Sequence, residues 1–194
     1  MKRLQAVFAI CFVSLFTHTA ALAQDIPEAF YHNAVLRDFS EQAQKDKVLQ
    51  ALDMIVEVVQ TEEFRSAVLN FKDGKGGTQF RENNGRTNAQ IYQEILDAAE
   101  KLRPIPDNTM DLDVTWYYRN NSTVGYTYAN SSRIWVNAKF YRRYDVAGVA
   151  RNLFHEWTHK LGYGHNVKSN RPYTVPYGLG AKMEELVRKR LAQN

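Results

Sequence analysis

Cysteine is nearly absent from this sequence, and thiolate chemistry goes with it. The one cysteine, Cys11, sits inside an apolar run near the start. Met1-Lys2-Arg3 opens the chain, Leu4 to Phe16 is largely apolar, and Thr19-Ala20-Ala21-Leu22-Ala23 brings small residues. A charged start, a short apolar run and an Ala-x-Ala end have the form of a secretory signal peptide. Residues 1–23 are therefore expected to be removed on export to a periplasmic or extracellular space. The apolar run falls short of the roughly 20 residues that a spanning helix needs, which argues against stable membrane insertion after cleavage. Removal of this segment leaves 171 residues, beginning at Gln24, and no cysteine. Disulfides are thereby excluded in a compartment that would permit them. Any transition metal has to be held by histidine and carboxylate ligands.

Strong charge is also missing. The formal net charge of +4 falls to about +2 once Lys2 and Arg3 are gone. No basic stripe with interleaved aromatics runs through the sequence, so a nucleic-acid partner is not expected. Arg188-Lys189-Arg190 reads as the solvated end of a helix, where cations suit the dipole. Lys72-Asp73-Gly74-Lys75-Gly76-Gly77 is loop-forming by composition. It lacks the Gly-Lys-Ser/Thr ending of a phosphate loop. There is no internal repeat or low-complexity segment, and nothing that bears on oligomeric state.

What is present reads as one domain over residues 24–194. Residues 24–40 show little pattern, and residues 24–80 as a whole form a largely helical lead-in of unassigned role. From Glu41 to Val59, the residues Val48, Leu49, Leu52, Ile55, Val56 and Val59 fall at helical spacing. A short helix with Phe64, Val68 and Leu69 is expected next. Thr87 or Asn88 could cap a helix running to about Leu102, with Pro104 and Pro106 stopping it. Strands are expected over Leu112–Tyr118, Val124–Tyr128 and Ser132–Asn137, which are rich in Val, Ile, Thr, Tyr and Trp. Asp145 caps a helix from Val146 to about Leu161, and Leu179 to Leu191 reads as a final helix. Helices, then strands, then further helices make an α+β arrangement.

The chemistry gathers in His155-Glu156-Trp157-Thr158-His159-Lys160-Leu161-Gly162-Tyr163-Gly164-His165. Residues four apart lie one turn above each other on a helix, so His155 and His159 can aim at one ion. Gly162 can end the helix in a left-handed conformation, and the chain can turn back to offer His165. Zinc in a catalytic site takes three protein ligands and leaves a position open. One Zn2+ per chain on His155, His159 and His165 is the expectation. Glu156, about 100° around the helix from His155, is placed to work on a water rather than to ligate. Val146, Val149, Ala150, Leu153, Trp157 and Leu161 form the apolar stripe that would bury the helix's other side. His32, the remaining histidine of the mature chain, reads as a surface or structural residue.

Residues 155–165 resemble the long zinc signature of the metzincin peptidases, His-Glu-x-x-His-x-x-Gly-x-x-His. The resemblance implies a small mixed sheet packed on an active-site helix, with N-terminal helices and a C-terminal helix. It implies a zinc endopeptidase acting on peptide or protein substrates, with Glu156 as general base. Metzincins carry a methionine turn beneath the metal. Here Val175 stands where that methionine is expected, and Met183 falls in an expected helix. In some members a tyrosine two residues after the methionine approaches the metal, which points to Tyr177 as a fifth ligand or oxyanion donor, with Tyr173 a second candidate. The strand that pairs with extended substrate would be part of Ser132–Asn137 or its hairpin partner. Two other functions share these residues. One is a non-catalytic zinc-containing envelope or toxin binding module. The other is a zinc amidase acting on cell-wall crosslinks.

Overall fold

The computed structural model describes residues 29–128 and 130–193. The expected signal peptide lies outside them. The first described element is a strand where the sequence shows no pattern: β1 (Tyr31–Arg37) pairs in parallel with β2 (Thr109–Tyr117). Its inward positions are His32, Ala34 and Leu36, while Tyr31 and Val35 face solvent. Two large apolar residues thus point outward and a histidine inward, which is why period-two hydrophobicity does not mark the strand. His32 has the structural role expected of it, with Nε2 3.1 Å from Asp53 Oδ1 on the neighbouring helix.

β3 (Gly125–Thr127) and β4 (Arg133–Asn137) complete a four-stranded sheet in the order β1-β2-β4-β3. β1, β2 and β4 are parallel, and β3 runs antiparallel to β4 at the edge. Side chains alternate across a strand. Met110, Leu112, Val114 and Trp116, with Ile134 and Val136 beside them, are buried. The opposite face mixes charged and aromatic residues, with Asp113 paired to Arg37 at 2.7 Å and Tyr126 stacked on Trp135.

Six helices accompany the sheet among the described residues: α1 (Gln42–Val59), α2 (Glu62–Leu69), α3 (Asn88–Asp97), the single turn α4 (Ala138–Tyr141), α5 (Val146–Leu161) and α6 (Val175–Leu191). α1 buries Val48, Leu52, Ile55 and Val59 as the spacing predicts, but Leu49 lies at the surface and Val58 joins the core. Val149, Ala150, Leu153 and Trp157 bury the core side of α5, and Phe30 meets Trp157 edge-on at 5.9 Å. The architecture is α+β.

Two helix boundaries differ from expectation. α3 begins at its Thr87 cap with a capping box to Gln90, but ends at Asp97 rather than near Leu102. Ala98 turns left-handed at φ 49°, and the Asp97 carbonyl accepts instead from Asp107 N–H at 3.1 Å. The prolines lie beyond an end that tertiary hydrogen bonding has already set. α6 begins at Val175, four residues before Leu179, with Pro176 in its first turn. Proline's fixed φ and missing N–H suit that place, since the first N–H groups of a helix have no partner within it.

Candidate metal centre

α5 is capped as its sequence dictates. Asp145 Oδ1 accepts from Gly148 N–H at 2.8 Å. At the other end Gly162 takes φ 104°, and the N–H of Tyr163 reaches back to Thr158 O at 3.1 Å. A Cβ on Gly162 would also strike the Lys101 side chain. The left-handed turn sends the chain back past the helix and brings in His165.

His155, His159 and His165 each offer a ring nitrogen, and these atoms lie within 4.8 Å of one another. The three histidines can hold a metal ion. His159 Nδ1 is 2.6 Å from Tyr163 O. That carbonyl can only accept, so Nδ1 carries the proton and Nε2 keeps a free lone pair, the usual arrangement behind a metal ligand. Burial, followed by the neighbouring His159 and His165, pushes His155 down to about 3. Burial likewise pushes His159 down to about 4. Both rings are neutral at neutral pH, as ligation requires.

The loop carrying His165 is buttressed by the segment after α2. Glu82 accepts from the N–H groups of Asn166 at 2.6 Å and Val167 at 3.0 Å. Asn84 donates to Gly162 O at 3.1 Å. Tyr163 donates its hydroxyl to Glu94, which is held by Arg86. The glycine loop ahead of this segment folds around Asp73, whose Oδ1 accepts from Lys75 N–H at 2.9 Å and Gly77 N–H at 2.7 Å. Those amides are occupied from within the loop. The segment from Glu82 to Glu94, just after the lead-in, thus supports the metal site.

Glu156 is buried and lines the same cleft as the three histidines. Burial pushes its carboxyl up to about 7, against Asn152 and Lys160. Asn152, one turn earlier on α5, directs Nδ2 at Glu156 Oε1 at 3.5 Å. Its own Oδ1 accepts from the hydroxyl of buried Tyr141 at 2.9 Å. Gly125 of β3 passes close by: a Cβ there would lie 2.6 Å from Asn152 Oδ1 and 3.1 Å from Glu156 Oε1. Lys160 is buried on α5, and its ammonium donates to Thr127 Oγ1 and to the carbonyls of Ser131 and Arg133. One lysine therefore fastens the β3–β4 hairpin to the helix.

These groups open onto a cleft of about 820 Å³, with Val124, Gly125 and Tyr126 on one wall and His155, Glu156 and Tyr177 among its other lining residues. Of the two strands expected to border it, β4 is interior, hydrogen-bonded on both sides. Of these two, β3 has the free edge. Tyr177 stands in the first turn of α6, with its ring 4.6 Å from that of His155 and 4.9 Å from that of His165. Tyr173 belongs to a short 3-10 turn, Lys168–Tyr173, and packs over Gly74 instead. Val175 and Met183 are both buried on α6.

Asn152 had a visible signal, since it lies four residues before Glu156. Tyr141, Gly125, Lys160 and Glu82 had none, because their roles arise from contacts between distant segments. Compared with known proteins, the chain matches no family model, and no curated sequence matches it.

Proposed function

We propose that the chain is an exported zinc-dependent endopeptidase of metzincin type, hydrolysing peptide bonds with Glu156 as general base. The observation that carries this reading is the convergence of the three imidazoles within 4.8 Å beside a buried carboxyl at an open cleft. The donor set fits zinc: neutral nitrogens with a fixed tautomer at His159 suit it, whereas calcium and magnesium favour oxygen ligands. When bound, the ion would polarise the scissile carbonyl and acidify a water.

The remaining work falls to the chain. Glu156 Oε accepts the proton of the attacking water and delivers it to the nitrogen of the leaving amine. Asn152 and Tyr141 hold that carboxyl in one orientation, and Gly125 leaves it room. The free edge of β3 supplies main-chain donors and acceptors to an extended peptide, a mode tolerant of sequence. The Tyr177 hydroxyl donates to the oxygen that gains negative charge. Export rests on the charged, apolar and small-residue pattern of residues 1–23.

Metal analysis of the purified protein beside His159→Ala, with casein cleavage beside Glu156→Gln, tests the reading. One zinc per chain, lost in His159→Ala, and cleavage lost in Glu156→Gln are the expected results. Equal cleavage by Glu156→Gln would sink the mechanism. Zinc without cleavage of any peptide would mark a binding module, and hydrolysis confined to cell-wall crosslinks would mark an amidase.

A further inference from the structure

The cleft extends beyond the histidines. Counting back along α5 from His155, the residues three, four and seven positions earlier are Asn152, Arg151 and Gly148. They share one helix face, and all three line the cleft, which continues past the helix start to Arg143. Glu184 and Arg188 of α6 line the same arm. Gly180 lets the two helices approach: a Cβ there would lie 3.1 Å from Arg151 O and 3.4 Å from His155 Cβ.

Ions furnish this arm. Arg188 pairs with Asp145 and places Nη2 2.7 Å from Glu184 Oε1. The other oxygen of Glu184 accepts from Arg151 Nη1 at 2.9 Å. Arg151 is therefore held in place by one nitrogen. Its Nε and Nη2 donate to no side chain or carbonyl among the described residues, and Arg143 has no ion-pair partner among them. In this arm Arg143, Arg151 and Arg188 stand against Asp145 and Glu184, while Arg171 and Glu156 line the rest of the cleft.

We propose that this arm is a carboxylate-binding subsite, in which Arg151, supported by Arg143, receives an aspartate or glutamate side chain of the peptide near the bond held at the histidines. The inference rests on the proposed function only in that a peptide occupies the cleft. A guanidinium presents donors in a planar fork that matches a carboxylate. Glu184 orients Arg151 in advance, so less rotamer freedom is lost on binding. A glutamine in the same place offers one oxygen but no charge. Arg151 keeps 47% of its side chain exposed, so the attraction is screened by salt.

Binding to the zinc-loaded Glu156→Gln protein reads the subsite without turnover. The probes are two fluorescent, acetylated and amidated peptide pools, identical except that one carries Glu where the other carries Gln. At low salt the Glu pool is expected to bind about five- to tenfold more tightly, a preference that shrinks at high salt. Arg151→Gln and Arg143→Gln should each reduce the preference, and the double variant should abolish it with an unchanged melting temperature. Equal affinity for the two pools, no binding of either, or a preference that survives the double variant would overturn the subsite. Cleavage by the wild-type protein is read separately. Selective binding without cleavage would remove the peptidase reading and leave the subsite standing.

Discussion

Trp157 donates its indole N–H to the carboxyl of Glu100 at 2.7 Å, and both side chains are buried. The same oxygen accepts from Asp111 N–H at 3.1 Å. A single acid thus ties the middle of α5, between His155 and His159, to β2.

Glu100→Ala would strand a buried indole N–H and a backbone N–H, so a loss of about 2–3 kcal/mol in urea unfolding is expected. The carboxyl also sets a pH dependence. Burial raises its pKa in the fold above the ordinary 4.5, against the hydrogen bonds from Trp157 and Asp111. The folded state therefore binds the proton more tightly than the unfolded chain. This contribution is fully present below 4.5 and is lost as pH rises through the raised value. Glu100→Gln should flatten that part of the stability profile relative to wild type. A wild-type-minus-variant difference that does not change with pH would refute this.

Metal removal should loosen the whole site. An ion that binds only the folded chain adds about 2.7 kcal/mol when present at a hundred times its dissociation constant. A chelator should lower the melting temperature of the wild-type protein by several degrees and leave that of His159→Ala unchanged. An identical response in both would mean that the ion binds elsewhere.

Asn152→Ala should reduce kcat about tenfold with little change in KM, because it releases the Glu156 carboxyl and leaves the three histidines in place. Tyr141→Phe should act in the same direction and less, since Asn152 loses one hydrogen bond and keeps its place. Bound metal should stay at wild-type level in both. Loss of metal in Asn152→Ala would show that the residue supports the ligands and not the base.

Tyr177→Phe keeps the ring against His155 and His165 and deletes only the hydroxyl. If that hydroxyl serves developing charge, kcat should fall by about 10²-fold with metal content unchanged. Unaltered kcat would assign Tyr177 to packing.

Local signals in this chain were strong where one segment decides its own structure. Asp145, the apolar stripe and Gly162 bound α5 at the residues the sequence indicates. The spacing of His155, Glu156, His159 and His165 was readable because helix geometry alone places them. The expected α3 is too long and the expected α6 too short, where the contacts at the helix end involve other segments. Asp97 finds Asp107 across a loop, and the 3-10 turn ahead of Pro176 is held by Arg81, whose N–H donates to Tyr173 O at 2.8 Å.

The sequence by itself determined an α+β chain with a single cysteine, and with three histidines and a glutamate in register on one helix and its exit turn. Only the tertiary structure decided that β1 exists, that β3 and not β4 is the edge strand beside the cleft, and which residues contact Glu156. Period and capping are properties of neighbours along the chain. Edge position, the reach of Lys160 to the hairpin, and the Tyr141–Asn152–Glu156 chain depend on segments that meet only when the core closes.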